Sequence, residues 1–257
     1  IYRFDATSSE WVGLGDGAPE QTVTRLAVAG DHLYAATGSG QLWRLPLRGP
    51  DELTHTVAQQ ADGVHIPDPN LEAALRRALR RPERALTRTL LASLEELHAD
   101  GLDIADLTGL EFAVNLRVLN LNGNPAVTDL GPVAGLTGLD HIGFSHNQIS
   151  DLGPLKSLVS LTSLSLDGNP IESFDSLVGL KSLERIHGNS TYVSDISPLA
   201  HLPKLGFLAV NESRIGDVSP LAVLTDLGAL HLRGNRIRDV SALAGLSRLR
   251  HLDISNN

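Results

Sequence analysis

Three residue types that are capable of nucleophilic catalysis occur near the C-terminal end of the chain. His231, Asp253 and Ser255 could supply a general base, the carboxylate that orients it and a nucleophile. On neighbouring strands, however, Ser255 would lie on a diagonal about 7–8 Å from His231, and nothing nearby would bind an oxyanion. The chain also contains neither G-x-S-x-G nor H-E-x-x-H. We therefore predict that it has no catalytic residues and is not an enzyme.

Aspartates and histidines, which are common metal ligands, also recur along the chain. Six aspartates each stand before a Leu, Ile or Val, but no loop has the alternating acidic spacing of a calcium site. We interpret them as caps of short helical segments: Asp106, Asp129, Asp151, Asp195, Asp217 and Asp239. His187 and His231 would lie two strands apart, about 10 Å, which is too far to share one metal ion. We predict neither a metal ion nor another cofactor.

Composition narrows the remaining classes of function. The 257 residues carry a net charge of −9, which argues against nucleic-acid binding because that binding needs cationic contacts with phosphate. Cysteine is absent, which excludes disulfides and thiolate metal sites, and no apolar run reaches the roughly 18 residues of a membrane span. The chain begins at Ile1 within a predicted strand and stops at Asn257 within a repeat, so we expect a piece of a longer protein.

The candidate residues lie in a repeat whose period is 22 residues. Its first leucine recurs through seven copies and the start of an eighth: Leu94, Leu116, Leu139, Leu161, Leu183, Leu205, Leu227 and Leu249. One step, after Leu116, is 23 residues long, and we interpret Ala126 as an insertion. A fixed period of this length predicts a solenoid, in which each repeat buries its apolar side against its neighbours.

Each repeat contains the alternation of a short strand. Leu164 and Leu166 should point into the core and Ser165 outward, so successive copies should stack as a parallel sheet with strands about 4.8 Å apart. An inward asparagine after the strand can satisfy turn backbone that would otherwise be buried without a partner. This predicted structural ladder comprises Asn124, Asn147, Asn169 and Asn235. The predicted fold class is α/β, a solenoid with a parallel sheet on its concave face and short helical or 3₁₀ returns.

A helical N-terminal cap is predicted over residues 64–92, directly before the solenoid at residues 93–257. Asp68 can cap the helix and Pro69 suits its first position, because the missing N–H of proline would have no partner there. The apolar stripe comprises Leu71, Ala74, Leu75, Ala78 and Leu79. A second helical stretch is predicted from Thr87 to Leu91. The arginines between positions 76 and 88 favour a solvated helix face over an anion site.

Residues 1–50 are predicted to be rich in β-strands and residues 51–63 to be a linker. Turn signals separate five short strands: Ile1–Phe4, Trp11–Leu14, Val23–Val28, His32–Ala36 and Gln41–Leu45. The sequence Tyr-Arg-Phe at position 2 is echoed by Trp-Arg-Leu 41 residues later, about the length of one β-propeller blade. We predict the last blade of a propeller that lies mostly upstream; the alternative is a small β-rich flank with no relation to propellers.

The outward positions of the strands form rows on the predicted concave face. Phe207 is the one large apolar residue among them and has arginines and histidines as neighbours. That composition is typical of an interface hot spot, whereas a scattered exposed phenylalanine is ordinary on any surface. The candidate partner-binding residues are His141, Arg185, His187, Phe207, Asn211, His231, Arg233 and His251.

The copy that begins at Leu183 departs from the repeat. Gly188 replaces an inward leucine, Thr191 replaces the ladder asparagine, and Ser213 replaces it in the next copy. The segment from Gly188 to Tyr192 is therefore predicted to be the weakest point of the stack. Ordinary decay of the repeat explains the departures; the functional alternative is a local kink that shapes a binding surface.

The sequence Ile-Pro-Asp-Pro-Asn-Leu-Glu-Ala-Ala-Leu from Ile66, followed by repeats with Asn-x-Ile-x-Asp-(Leu/Ile/Val)-x-Pro-Leu, resembles the internalin-like leucine-rich-repeat proteins of bacteria. The resemblance covers residues 64–257. It implies a non-catalytic module that binds a protein or glycan partner, in a cell-surface or secreted protein. A cytoplasmic location is the alternative, and these residues specify neither the partner nor the oligomeric state.

Two other functions compete with this interpretation. The solenoid could be a sensor or scaffold attached to an enzyme whose catalytic part lies elsewhere in the gene product, or it could be a structural spacer. A signal peptide and wall modules in the full-length gene would favour adhesion, whereas a hydrolase, kinase or GTPase module would favour the enzyme scaffold.

Overall fold

The chain divides into two compact units, Ile1–Gly63 and Val64–Asn257. In a computed structural model, the described residues are 2–5, 10–13, 23–29, 32–37, 42–46, 63–81 and 85–257. In the first unit, β1 (Tyr2–Asp5) pairs antiparallel with β2 (Glu10–Gly13). A second antiparallel sheet has the order β3 (Val23–Ala29), β4 (His32–Thr37) and β5 (Leu42–Pro46).

These five strands lie within one residue of their predicted bounds, because the Gly-rich turns between them are strong breaks. The propeller origin of the unit stays a prediction. The predicted linker lies outside the described residues except for Gly63, and so does Arg84 of the arginine run. No helix in the described ranges combines the length and apolarity needed to cross a bilayer.

The second unit begins with the predicted helical cap. Helix α1 (Pro69–Ala78) starts where the sequence predicts, since Asp68 Oδ1 accepts the N–H groups of Asn70 and Leu71, each at 2.9 Å. Of the apolar stripe, three residues are buried while Ala78 is exposed: Leu71, Ala74 and Leu75. Helix α2 (Arg88–Leu91) is capped by Thr87.

Asp68 also joins the cap to the solenoid. Its other carboxylate oxygen, Oδ2, accepts the backbone N–H groups of Ala105 at 2.7 Å and Asp106 at 3.1 Å, both in the first repeat. Burial raises the pKa of Asp68, but hydrogen bonds from four backbone N–H groups outweigh burial and hold this pKa below its ordinary value. One carboxylate therefore starts a helix and anchors it to the repeats.

The solenoid carries one parallel sheet of eight strands in chain order. Its strands are β6 (Glu96–His98), β7 (Val118–Asn120), β8 (His141–Gly143), β9 (Ser163–Ser165), β10 (Arg185–His187), β11 (Phe207–Ala209), β12 (Ala229–His231) and β13 (His251–Asp253). The returns contain 3₁₀ helices at Leu110–Phe112, Gly131–Val133, Gly153–Ser157, Asp175–Leu177, Ser197–His201, Ser219–Val223 and Ser241–Gly245. This architecture confirms the predicted α/β leucine-rich-repeat solenoid.

Five of the six aspartates predicted as caps act one residue earlier than predicted, while Asp106, which accepts the N–H of Thr108, lies three residues before the cap position at Gly109. Asp151 Oδ1, for example, accepts the N–H of Gly153 at 2.7 Å, while the residue at the cap position is Leu152. The aspartate thus closes a turn with the residue two positions on, because its side chain reaches its own following backbone. Leu152 is then free to point into the core, where it is 2% exposed.

The asparagine positions form a buried ladder between adjacent repeats. Asn124 Nδ2 donates to the carbonyl oxygens of Ala99 and Leu121, each at 2.9 Å, and its Oδ1 accepts the N–H of Ile104 at 3.0 Å. The same pattern of two donated bonds and at least one accepted bond recurs at Asn147, Asn169 and Asn235. Among the described residues no buried side-chain nitrogen or oxygen lacks a partner.

The irregular repeat is packed and in register, so the structure contains no kink at Gly188. Strand β10 pairs with both neighbours without a shift. A side chain at Gly188 would place its Cβ 3.0 Å from Cζ of Phe174, whose ring fills the space of the missing leucine. Thr191 Oγ1 donates to the carbonyl of Gly188 at 2.9 Å and lies 3.1 Å from Ser213 Oγ. These two hydroxyls take the place of the ladder asparagines in their repeats.

We predict that Phe174 and Gly188 are energetically coupled. Gly188→Leu alone should lower the free energy of unfolding by about 2–3 kcal/mol through overpacking, and Phe174→Leu alone by about 1–2 kcal/mol through a cavity. The double variant copies the Leu152–Leu166 pairing of the preceding repeats and should recover about 2 kcal/mol, measured by urea unfolding in a double-mutant cycle. Gly188→Leu with Phe144→Leu is the control and should be additive; additivity in both cycles would contradict the coupling.

Asp68→Ala should lower the free energy of unfolding by about 2–4 kcal/mol at pH 7, since the helix cap and both bonds to the first repeat are lost. Because the folded pKa is depressed, this contribution is complete above the ordinary aspartate value of about 3.9 and is lost as pH falls through the folded pKa. Urea unfolding at several pH values between 7 and 2 measures the difference in the free energy of unfolding between the variant and the native chain. A difference that stays constant down to pH 2 would show that the ionised carboxylate is not responsible.

Candidate functional site

The outward-facing residues of the solenoid sheet form three rows, because neighbouring strands pair position by position. The first row, at the strand starts, is Glu96, Val118, His141, Ser163, Arg185, Phe207, Ala229 and His251. The second row, at the strand ends, is His98, Asn120, Gly143, Ser165, His187, Ala209, His231 and Asp253. The third row, two residues further on, is Asp100, Asn122, Ser145, Asp167, Asn189, Asn211, Arg233 and Ser255. We call these rows together the sheet face.

Three rings stack across β10, β11 and β12, and we call them the ring cluster (His187, Phe207 and His231). The ring centroids of Phe207 lie 4.6 Å from His187 and 5.5 Å from His231, with interplanar angles of 31° and 40°. The rings cover Ala209, which lies between the two histidines in the second row and is only 4% exposed. Offset aromatic contacts of this kind hold the rings in one arrangement.

The ring cluster modifies the prediction for Phe207. The sequence suggests a phenylalanine that stands exposed, whereas the structure shows it half-buried between its two histidine neighbours. A ring that is already held by its neighbours loses less side-chain entropy when a partner covers it. The contact makes Phe207 a more suitable anchor than a free side chain would be.

Cationic side chains lie beside the ring cluster. Arg185 starts the strand that ends at His187 and is exposed. Arg233 Nε lies 3.8 Å from Glu212 Oε1, and both side chains are more than half exposed, at 54% and 58%. Such an exposed pair contributes little to stability and leaves the guanidinium free to meet a ligand. The cluster is therefore flanked by an arginine on either side.

The structure separates His141 from the other candidates. His141 lies on β8, two strands before Arg185, with its Nδ1 at 3.0 Å from Asp140 Oδ2. His251 lies on β13, with Ala229 between it and Phe207 in the first row. The sheet thus brings together His187, Phe207, His231 and the two arginines, with His251 next to them.

Asn211 has a structural role that the sequence prediction missed. Its Oδ1 accepts the N–H of Arg233 at 2.7 Å, and Asn189 Oδ1 accepts the N–H of Asn211 at 2.8 Å. Asp167 and Asn122 make the same bond to the next repeat, at 2.7 Å and 2.8 Å. The third row is therefore a second ladder, and the recurrence of Asn or Asp at this position is the sequence signal that identifies it.

The serine of the possible triad is bound to the aspartate instead of the histidine. Ser255 Oγ donates to Asp253 Oδ1 at 2.7 Å, and the backbone N–H of Ser255 donates to the same oxygen at 3.0 Å. The pKa of Asp253 is below its ordinary value, mainly because of the hydrogen bond from the Ser255 hydroxyl, and the charges of Arg233 and His231 lower it further. A nucleophile without a base within reach cannot be activated.

The described residues also contain no group of three or more His, Asp or Glu side chains that could hold a metal ion. The sheet face therefore offers stacked rings, guanidinium donors and amide groups, which are groups that recognise a ligand.

Comparison with known proteins places these features in context. A family model described as leucine-rich repeats (2 copies) matches residues 137–182. No curated protein matches the chain significantly in sequence.

Solved structures share the fold over most of the chain. An internalin (inlF) from Listeria monocytogenes is 35% identical, with a TM-score of 0.70, over 72% of this chain and 55% of that one. Internalin C2 (inlC2) from the same organism is 32% identical, with a TM-score of 0.62, over 72% of this chain and 93% of that one. A leucine-rich-repeat protein from Leptospira interrogans is 23% identical over 66% of this chain and 45% of that one, with a TM-score of 0.59, and shares the fold. The chain thus spans about half the length of the inlF structure.

Ser255→Ala should raise the pKa of Asp253 towards its ordinary value, because the hydroxyl is the main group that stabilises the carboxylate. Carbon-detected NMR titration of the Asp253 carboxyl group measures this. Ser241→Ala is the matched control, since it should raise the pKa of Asp239 and leave Asp253 unchanged. An unchanged Asp253 together with an altered titration of His231 would mean that Ser255 bonds to the histidine in solution.

Proposed function

The chain belongs to the internalin-like leucine-rich-repeat proteins, and from this membership we propose that it is a non-catalytic module that binds a protein partner on the sheet face. The observation that supports this most strongly is the ring cluster between Arg185 and Arg233. Aromatic and arginine residues dominate binding energy at protein interfaces when they are held in place and can be covered together.

The small residue beside Phe207 in the first row supports a protein ligand. In the first row Phe207 and His251 stand two strands apart, about 10 Å, with only the methyl group of Ala229 between them. The space suits one apolar side chain of a partner, which would lie against the ring and displace water from both surfaces.

A glycan is the alternative ligand, because a sugar ring can lie on an aromatic face and bond to neighbouring amide groups. The third-row oxygens that would bind sugar hydroxyls are, however, engaged with backbone N–H groups at Asn189 and Asn211. The protein ligand therefore has the stronger support.

We further propose that the protein is exposed on a bacterial surface or secreted, on the strength of its family. The competing proposal is a regulatory or sensor scaffold of a larger enzyme. It draws support from the separate β-rich unit, Ile1–Gly63, which we propose to be related to a propeller blade. The domains encoded by the full-length gene distinguish the two.

The double variant Phe207→Ala/Arg185→Ala should weaken partner binding by more than about 2 kcal/mol, roughly thirtyfold in Kd, because it removes the anchor and one flanking cation. The immobilised chain is used to capture ligands from protein extracts and from a glycan array. The Kd of each captured ligand is then measured for the native and variant chains by surface plasmon resonance.

Arg117→Ala/Val118→Ala is the matched control, because it removes one exposed arginine next to β7 and truncates one apolar side chain of the first row. Binding that is lost in the control as well as in the ring-cluster variant would indicate general destabilisation. Binding that survives in the ring-cluster variant would place recognition elsewhere. Capture of glycans alone would support the alternative ligand.

A further inference from the structure

A second exposed cluster lies outside the sheet face, in the segments that follow the ladder asparagines. The backbone N–H groups of Tyr192, Arg214 and Arg236 donate to carbonyl oxygens of the preceding repeat at 2.8, 3.0 and 2.8 Å. These three residues therefore stand in one row with a spacing of about 5 Å. Ser194, Gly216 and Arg238, two residues further on, form a parallel row, and the residues between the rows are buried: Val193, Ile215 and Ile237. We call Tyr192, Arg214, Arg236 and Arg238 the loop ridge.

Tyr192 and Arg214 form a stacked pair on the loop ridge. The guanidinium carbon of Arg214 lies 4.5 Å from the centroid of the Tyr192 ring, and Tyr192 is 47% exposed. The tyrosine ring holds the guanidinium in place through its electron-rich face, and the N–H donors of the guanidinium remain available to a ligand. A large aromatic side chain with this exposure is otherwise rare on the described surface of the chain.

The arginines of the loop ridge are not engaged in ion pairs within the described residues. Within the described part of the chain, no ion pair joins a carboxylate to Arg214, Arg236 or Arg238, whereas Arg248 pairs with Asp226. The aspartates that follow the ridge are bound to serines instead. Backbone N–H groups of Ser219 and Ser241, assisted by the serine hydroxyls, hold the pKa values of Asp217 and Asp239 below their ordinary value. Three guanidinium groups thus face solvent on a chain of net charge −9.

We propose that the loop ridge is a second interaction surface, which binds an acidic segment of a protein partner with an apolar or aromatic side chain beside its carboxylates. Carboxylates match the planar fork of arginine, which donates two parallel hydrogen bonds. Gly216 has only the carbonyl of Arg236 near its missing side chain, at 3.8 Å, and Ser194 is small. These two small residues leave room beside the Tyr192–Arg214 pair for the apolar side chain of the partner.

The same features disfavour a polyanion such as a nucleic acid. Binding to a phosphate backbone typically takes about six to ten cationic contacts, and the ridge offers three. The net charge of −9 also repels a long polyanion from the rest of the molecule. A short acidic peptide segment avoids that repulsion, and the tyrosine adds the apolar contact that is characteristic of protein interfaces.

The ridge is tested with the full 257-residue chain and an acetylated peptide of sequence Glu-Glu-Trp-Glu-Glu. NMR titration should show saturable shifts of the arginine side-chain N–H resonances of Arg214, Arg236 and Arg238. Replacing all three with glutamine should weaken binding by about tenfold or more, and Tyr192→Ala by several-fold. Arg236→Lys keeps the charge but removes the fork, and it should give an intermediate loss.

The matched control carries the same change of charge elsewhere, at three exposed arginines: Arg77→Gln, Arg81→Gln and Arg117→Gln. It should leave peptide binding within about twofold, and so should Phe207→Ala, which tests whether the ridge acts independently of the sheet face. An equal loss of peptide affinity in the triple control variant would show that only net charge matters, and it would overturn the proposal. Non-saturating shifts, or tighter binding of a heparin hexasaccharide than of the peptide, would overturn it as well.

Discussion

The structure depends on how each repeat satisfies the backbone of the tight bend that leaves its strand. Asn169 illustrates the solution, since its Nδ2 donates to the carbonyl oxygens of Phe144 and Leu166 at 2.8 and 2.9 Å while its Oδ1 accepts the N–H of Ile149 at 2.9 Å. Leaving any of these buried groups without a partner would cost about 1–3 kcal/mol. Because the partners lie in two adjacent repeats, the amide couples each repeat to its neighbour and makes the stack cooperative.

This coupling also determines which side chains become neighbours on the sheet face. Since every strand is held at the same height as the next, residues 22 positions apart become lateral neighbours. His187 and His231 come from the second row of β10 and β12, and Phe207 from the first row of β11 contacts both of them. A slip of one residue would turn Phe207 into the core and disperse the cluster. The second ladder, which includes Asn189 and Asn211, maintains the same register two residues before the first ladder, at the same end of the strands.

The periodic part of the fold could be predicted from the sequence because it depends on which way each Cβ points. The strand order, the inward leucines, the asparagine ladder and the cap at Asp68 all follow from position within the repeat or from local helix chemistry. Compensation between different positions could not be predicted in this way. The ring of Phe174 fills the space at Gly188, and the second oxygen of Asp68 bonds to the first repeat. Each contact joins residues at different positions of the repeat or outside it, so the period does not predict it. The held conformation of Phe207 likewise depends on side-chain rotamers that the period does not determine.

The two repeats that deviate most from the pattern contribute residues to both proposed surfaces. The turn residue before the ladder position is a left-handed glycine in four repeats. In the other four copies a residue with a side chain adopts this conformation, with φ values of 59°, 55°, 51° and 57° at His146, Ser190, Glu212 and Asn256. An L-residue in this region costs about 1–2 kcal/mol, and such strain persists where the surroundings hold it in place. Glu212 lies over Gly234, and a Cβ added at Gly234 would be 2.9 Å from the carboxylate of Glu212. The same carboxylate lies near Arg233, beside the ring cluster. The turns at Ser190 and Glu212 join the sheet face to the segments of the loop ridge, so part of this local cost falls between the two proposed surfaces.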